Sequence, residues 1–488
     1  MEENTSGMPS LEADMKKVFE NIEREKKVEA QNSVGLIANS LLRGVKDLSQ
    51  EFLLAKAENP NGFKSKLRFL AAEEIVRVVS GCVFVPSFEE KAKTKQEILV
   101  YDETHWTNFL QQEFFDFVRE ACTRMKMETV YLHDHSFMLP LTTNVLFNLS
   151  HAMPDRHIEG EVLVNLKNGT LEVNEDGTVH FREHRREDYM LYALGYGYDP
   201  EAKCEMWQAF LDQMLDEKEA QDLLAEYVAY GLTDNLKLEK ALCLYGDGSN
   251  GKSVVMEVIE ALFGIECTSN VSLNDLTTDA EKRCLIENKR INISYENSKE
   301  IEPSVMKRII SGEPLDCRKL WVGTHIMRRY AKLIASFNVM PRAEVTGAFY
   351  RRLIIMPFLV TITEDKADRD LPKKLCKELP GILNWVLEGL KRLLSNKAFT
   401  ISPMCEKAMM EYKLQSDSVR LFQLERLQMD YPYKTEGNML YQEYKKYCFD
   451  SELKPVGKQT FYKRLVSIGA KRSDCQNVVN FNVFLKNG

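Results

Sequence analysis

Apolar positions along the chain change period several times, and each change marks an element. Asn108–Ala121, NFLQQEFFDFVREA, repeats Phe, Leu and Val at three- and four-residue spacing, the mark of an amphipathic helix, and the strand-like EILVYDETHW precedes it. Taken whole, Phe63–Met125 reads as a small, mainly helical mixed domain. In VLVNLKNGTLEVNEDGTVHF, Val162–Phe181, the period drops to two, and the turn dipeptides Asn168-Gly169 and Asp176-Gly177 predict a hairpin. Trp207–Leu232, WQAFLDQMLDEKEAQDLLAEYVAYGL, returns to helical spacing as two amphipathic helices.

Short apolar runs then alternate with helical stretches: ALCLY at 241–245, INISY at 291–295 and AKLIASF at 331–337. That alternation is the α/β signature. Past Phe358 the chain turns helical, as in LPGILNWVLEGLKRLL. Near the end Phe461, Leu465 and Ile468 share one helical face, Gly469 stops the helix, and alternating Val479, Phe481 and Val483 predict a wing; a winged helix fits. Residues 1–33 are polar and charge-rich and read as a frayed helix or flexible arm.

At 488 residues the chain is too long for one ordinary core. Hydrophobic content of 44% and charged content of 28% describe a soluble globular protein with no membrane partner, expected in the cytoplasm. The 11 cysteines contain no CxxC pair to begin a zinc site and read as reduced core residues. Net charge is -8, yet the stretch from Lys454 onward holds seven Lys or Arg against Asp474 alone, 7 - 1 = +6, a basic tail on an acidic body.

LCLYGDGSNGKSVVMEVIEALFG, Leu242–Gly264, carries two overlapping glycine patterns. As GxGxxG, Gly246, Gly248 and Gly251 would hold a dinucleotide, with Glu266 near the distance of a ribose partner. That scheme gives Lys252 and Ser253 no role. As GxxxxGKS every part is used: the ATP-binding stretch runs through Gly246, Asp247, Gly248, Ser249, Asn250, Gly251, Lys252, Ser253 and Val254, with backbone N–H groups around the phosphates, Lys252 on the β and γ oxygens and Ser253 on Mg2+. Hydrolysis further needs an acid at the end of a second strand, and INISYEN puts Glu296 there to hold the metal and polarise water. The strand AKLIASFN ends in Asn338, suited to orient water or sense the γ phosphate, and Arg351 and Arg352 stand before another strand, where a guanidinium can serve a neighbouring subunit.

In this order, GDGSNGKS, YEN, SGEPLDCRKLW, ASFN and FYRRLIIMPF resemble the superfamily 3 helicases, in particular the phage, plasmid and poxvirus-type primase-helicase branch. VNLKNGTLEV, YDPEAKCEMWQAFLDQML and LLAEYVAYGLT resemble that branch's domain upstream of the ATPase. The resemblance implies a AAA+-like ring, a hexamer, that uses ATP and Mg2+ to move on single-stranded and forked DNA in the host bacterial cytoplasm. In that scheme Lys252, Ser253 and Glu296 serve ATP in their own subunit, Asn338 is the sensor, and Arg351 or Arg352 is the trans-acting finger. SGEPLDCRKLWVGTHIMRRY would form a hairpin gripping DNA phosphates through Arg318, Lys319, His325 and Arg328, with Lys458, Lys463 and Arg464 of the winged helix as further DNA contacts. Two departures stand out: Val322-Gly323-Thr324 is uncharged where the family often has a basic tip, and Tyr295 occupies the place of an Asp, leaving Glu296 to act for both or with Asn297.

The fold class is therefore multidomain α+β: a flexible arm at 1–33, a mixed α/β domain at 34–155, a hairpin plus helical collar at 156–232, the P-loop AAA+-like core at 233–362, a helical lid or linker at 363–424 and a winged helix at 425–488. The sole DxD, Asp368-Arg369-Asp370, lies in a polar stretch and reads as a loop, so a primase is expected as a separate protein. YLHDHS, with His133, Asp134 and His135, reads as a surface turn, and Tyr444 and Tyr447 fall at core spacing with Leu440 and Cys448. Two rivals to a helicase remain: an origin-binding initiator whose ATPase only assembles and melts, and a AAA+ switch that remodels proteins.

Overall fold

The computed structural model describes residues 35–86, 97–151, 161–234, 237–295, 301–319, 323–340, 347–363, 365, 367–430, 432, 434–451, 453–475 and 478–486. The expected arm at 1–33 lies outside them. The chain forms two compact units, Met1–Val173 with Val179–Tyr198, and Asn174–Thr178 with Asp199–Gly488. The division after Tyr198 falls inside the stretch 156–232 that the sequence groups together. No helix of the described residues is long and apolar enough to cross a membrane.

In the first unit the helices Phe63–Val79, Gln111–Arg124 and His135–Asn148 share a core that includes Ile75, Phe114, Phe117, Val118, Leu141 and Val145. Phe114, Phe117, Val118 and Ala121 recur at the spacing that puts one helical stripe inward. The cluster YLHDHS is a helix start: Asp134 caps His135–Asn148 by accepting from Ser136 N. Val162–Leu166, Gly169–Val173 and Val179–Arg182 form a three-stranded antiparallel meander, one strand more than the predicted hairpin, because the chain turns near both glycine dipeptides.

The second unit is built on a five-stranded parallel sheet, ordered Leu353–Pro357, Ala241–Tyr245, Lys332–Phe337, Ile291–Ser294, Thr268–Ser269 from edge to edge. Parallel strands covered on both faces read as unbroken apolar runs, and LIIMP and INIS are buried along their whole length. Lys252–Phe263 follows the first strand and buries Val255, Met256, Val258, Ile259, Leu262 and Phe263. The helices Lys218–Leu232 and Leu379–Asn396, far apart in sequence, pack together. Their contact encloses Glu226, fully buried and satisfied by Arg392 Nε at 3.1 Å and by Thr400 N and Oγ1, each at 2.6 Å.

Toward the end of the chain Gly437–Asp450 and Lys458–Ser467 pack beneath a sheet ordered Thr435–Glu436, Val478–Phe481, Arg472–Cys475. Tyr444 stacks on Phe461 with ring centres 4.5 Å apart, and Tyr447 and Cys448 are buried with it, so this tyrosine cluster is core. Asp368 and Asp370 sit in an exposed turn, where Asp368 pairs with Lys374.

Candidate nucleotide site

The strand Ala241–Tyr245 delivers the chain into a loop tied to both neighbouring strands. Gly246 N donates to Phe337 O at 3.1 Å and Phe358 N to Tyr245 O at 2.7 Å. Further along, Ile362 N donates to Ser249 O at 2.7 Å and Asn250 Nδ2 to Phe358 O at 3.0 Å. A Cβ at Gly246 would stand 2.3 Å from the Phe358 carbonyl oxygen, so a side chain there is excluded. Gly251, with φ of +80°, turns the chain into the helix Lys252–Phe263.

Lys252 is 5% exposed, and its ammonium fills the loop, donating to Gly246 O, to Asp247 O at 2.9 Å and to Asn250 Oδ1 at 3.0 Å. Burial lowers its pKa, and the Asp247 carboxylate opposes that shift. Asp247, Gly248 and Ser249 are exposed around it, as is Ser253 in the first helical turn, while Val254 is half-buried. The loop thus presents exposed backbone, one cation and a hydroxyl at a helix N-terminus, the surroundings that suit an anion.

Because the strands are parallel, the loop shares one sheet edge with the ends of its neighbours. Phe337 pairs with Tyr245, which sets the exposed Asn338 level with the start of the loop. The strand Ile291–Ser294 ends on the same edge, and Tyr295 donates to Glu260 Oε2 at 2.7 Å, tying that strand end to the loop's helix. Burial, reinforced by Glu260, holds the Tyr295 phenol neutral well above its ordinary range. Glu296 and Asn297 lie outside the described residues. The Glu260 tie was missed in the sequence, since an acid on the helix after the glycine loop carries no local signal.

Arg351 and Arg352 occupy the opposite end of the strands, before the start of Leu353–Pro357. Arg352 is 11% exposed and is held by Ser311 Oγ at 2.9 Å and Glu239 Oε2 at 3.2 Å. Arg351 is exposed and borders a cavity of about 340 Å³ with Lys240, Phe399, Glu406 and Lys413. The two arginines are therefore not equivalent, a distinction that the sequence left open.

The hairpin Leu315–Lys319 and Gly323–Met327 has one inward and one outward face. Leu315, Cys317 and Met327 are buried, while Asp316, Arg318, Thr324 and Ile326 are exposed. His325, expected with Arg318 and Arg328 to contact phosphate, lies opposite Cys317 on the inward face, half-buried, with its Nε2 2.9 Å from Glu287 Oε1. Arg318 is 64% exposed and 3.8 Å from Glu281. Arg328 is exposed beyond the second strand. The Lys319 side chain and residues 320–322, including Val322 of the uncharged tip, fall outside the described structure. In the C-terminal helix Lys458 and Lys463 are exposed, whereas Arg464 is half-buried and 3.4 Å from Asp417.

Residues 90–216 match the family described as D5 N terminal like, and residues 244–352 match a family of unknown function (DUF5906). The first match begins in a region to which the sequence assigned no role. The second opens in the strand before the glycine loop and closes at Arg352, so it spans the loop, the hairpin and the arginine pair. Among solved structures, an apo form of the NrS-1 C-terminal region is similar at 11% identity and a TM-score of 0.36, covering 67% of this chain and 97% of that one. Two further apo structures of the same region match at the same identity, with TM-scores of 0.34 and 0.36.

Proposed function

We propose that the chain is a replication protein of the phage and viral primase-helicase type, acting as an ATP- and Mg2+-dependent DNA helicase. Its core would be a AAA+-like P-loop ATPase that assembles into a ring, a hexamer, on single-stranded or forked DNA, with a winged helix at the C-terminal end and a separate primase as partner. The similarity of residues 90–216 to the D5 N terminal like family supports the replication setting.

One observation carries the reading: the glycine loop and the arginine pair lie at opposite ends of two neighbouring strands of one parallel sheet, Ala241–Tyr245 and Leu353–Pro357. A five-residue strand spans about 16 Å, so an arginine at the far end of the strands is poorly placed for phosphate in its own loop and well placed for that of an adjacent subunit. In this scheme Lys252 exchanges its carbonyl partners for β and γ oxygens, Ser253 and Glu296 hold Mg2+, and Asn338 orients the attacking water. Arg351, exposed, is the finger, while Arg352 anchors the start of its strand to Ser311 and Glu239. Arg318, Lys319 and Arg328 are the phosphate contacts of the hairpin.

The test is ATP hydrolysis with and without single-stranded DNA, beside unwinding of a forked duplex, for wild type, Lys252→Ala and Arg351→Ala. DNA-stimulated hydrolysis and unwinding that both variants lose would support the motor. Hydrolysis indifferent to DNA, with no strand separation, would overturn it.

A second reading, an origin-binding initiator, draws on the exposed Lys458 and Lys463 of the helix that precedes the Arg472–Phe481 hairpin, a surface suited to groove contact. A sequence-specific mobility shift by the full chain, lost in Lys463→Glu while unwinding persists, would add that role.

A further inference from the structure

The inward face of the hairpin converges on a second chemical site. Cys317 and His325 are cross-strand partners, so their side chains share one face, with Cys317 Sγ 3.2 Å from His325 Nε2. Cys284 approaches from the one-turn 3₁₀ helix Cys284–Ile286, and ligand atoms of Cys284, Cys317 and His325 all lie within 4.8 Å of one another. Glu287, just past that turn, brings Oε1 to 2.9 Å from the same histidine nitrogen. Two sulfurs and an imidazole nitrogen thus gather around a small volume, with a carboxylate oxygen beside the nitrogen, supplied by two elements that are separate in sequence.

We propose that Cys284, Cys317, His325 and Glu287 bind one structural zinc ion. Tetrahedral zinc with bonds of about 2.3 Å to sulfur and 2.0 Å to nitrogen places those two donors about 3.5 Å apart, close to the 3.2 Å between Cys317 Sγ and His325 Nε2. Two thiolates and an imidazole favour zinc over magnesium or calcium, and Glu287, already beside His325 Nε2, would move in to close the sphere, as in a structural rather than a catalytic site. On binding, the two thiols release their protons to solvent and the imidazole binds through its unprotonated nitrogen. The ion would rivet the base of the hairpin to the 3₁₀ turn. The inference is independent of the helicase reading, since it uses none of the nucleotide residues.

The full chain, purified without chelator, is expected to contain about one zinc per molecule by inductively coupled plasma mass spectrometry. Cobalt added to chelator-treated protein is expected to give a thiolate-to-cobalt charge-transfer band that Cys317→Ser and Cys284→Ser diminish and Lys252→Ala retains. If the serine variants fail to fold, alkylation of wild type followed by peptide mass spectrometry replaces them: Cys284 and Cys317 should be protected by zinc and exposed by chelator. Wild-type protein that carries no zinc, gives no such band and shows no metal-dependent protection would overturn the proposal.

Discussion

Arg352 reaches from the start of the strand Leu353–Pro357 to Ser311 Oγ, 2.9 Å away, on the segment leading to the hairpin, and its other end pairs with Glu239 at 3.2 Å. One side chain thereby connects the edge strand, the entry to the strand before the glycine loop and the hairpin root. Losing a buried charged donor of this kind costs about 1–3 kcal/mol, so Arg352→Ala should lower the urea midpoint of unfolding. Arg351 is exposed, and its replacement by alanine should leave that midpoint within about 0.5 kcal/mol of wild type. ATP turnover should nevertheless fall by about 10³-fold or more if Arg351 is the trans finger. Mixing Arg351→Ala with Lys252→Ala subunits should restore some hydrolysis, because one variant supplies the intact loop and the other the intact arginine. Inactivity of all mixtures that demonstrably co-assemble would argue against action between subunits.

The glycines of the loop should separate by stability. Gly246→Ala drives a methyl against the Phe358 carbonyl and should cost at least about 1–3 kcal/mol, read as a drop in thermal midpoint. Gly248 has open space where a Cβ would go, so Gly248→Ala should unfold within about 0.5 kcal/mol of wild type. If phosphate approaches the backbone there, the same variant should bind ATP about tenfold more weakly by calorimetry, a loss of about 1.4 kcal/mol. Unchanged affinity would place the phosphate elsewhere.

What was legible in the sequence follows from how local each signal is. ALCLY and AKLIASF announce buried strands because apolar positions dominate them, and the helix after GKS is fixed by the motif and the run that follows it. Core spacing of Leu440, Tyr444, Tyr447 and Cys448 likewise needs only one helix, and the structure buries all four. Strand order is a different matter: Lys332–Phe337 inserts between Ala241–Tyr245 and Ile291–Ser294, and no local pattern encodes that choice. The same holds for Arg352 with Glu239, 113 residues away, and for Cys284 with Cys317 and His325. A search for CxxC spacing finds a zinc site only when neighbouring ligands share one turn, whereas here a turn and a hairpin each supply part of the set.

In the first unit Asp102 supplies an acid-sensitive contact. Burial alone would raise its pKa, but hydrogen bonding and charge from His105, aided by Thr104, outweigh burial and bring it down to about 2. Its folded value is therefore below the unfolded value of about 3.9. The carboxylate contributes stability above the unfolded pKa, and that contribution is lost as pH falls through the folded one, between about 4 and 2. Asp102→Asn should be destabilised by about 2 kcal/mol at pH 6, and the gap to wild type should narrow toward pH 2 in denaturant titrations. A gap independent of pH would assign the effect to the turn bonds at Thr104 N and His105 N instead of the charge.

The hairpin offers a sharper separation, because a two-residue period assigns neighbouring side chains to opposite faces. Arg318 alternates with Cys317 and shares the outward face with Thr324 and Ile326, while His325 turns inward to Cys317 and Glu287. A phosphate contact by Arg318 contributes mainly through counterion release, so Arg318→Glu should weaken single-stranded DNA binding at low salt and reduce the slope of log affinity against log salt by about 1. Basal ATP hydrolysis should be unchanged and its stimulation by DNA should fall. His325→Ala should behave differently: its effect on DNA affinity should keep the wild-type salt slope, since it removes no phosphate contact, and should be accompanied by a lower unfolding midpoint, since it removes an inward contact of the hairpin base. Equal salt slopes for Arg318→Glu and wild type would remove this face of the hairpin from the DNA path, and a reduced slope in His325→Ala would return the histidine to it.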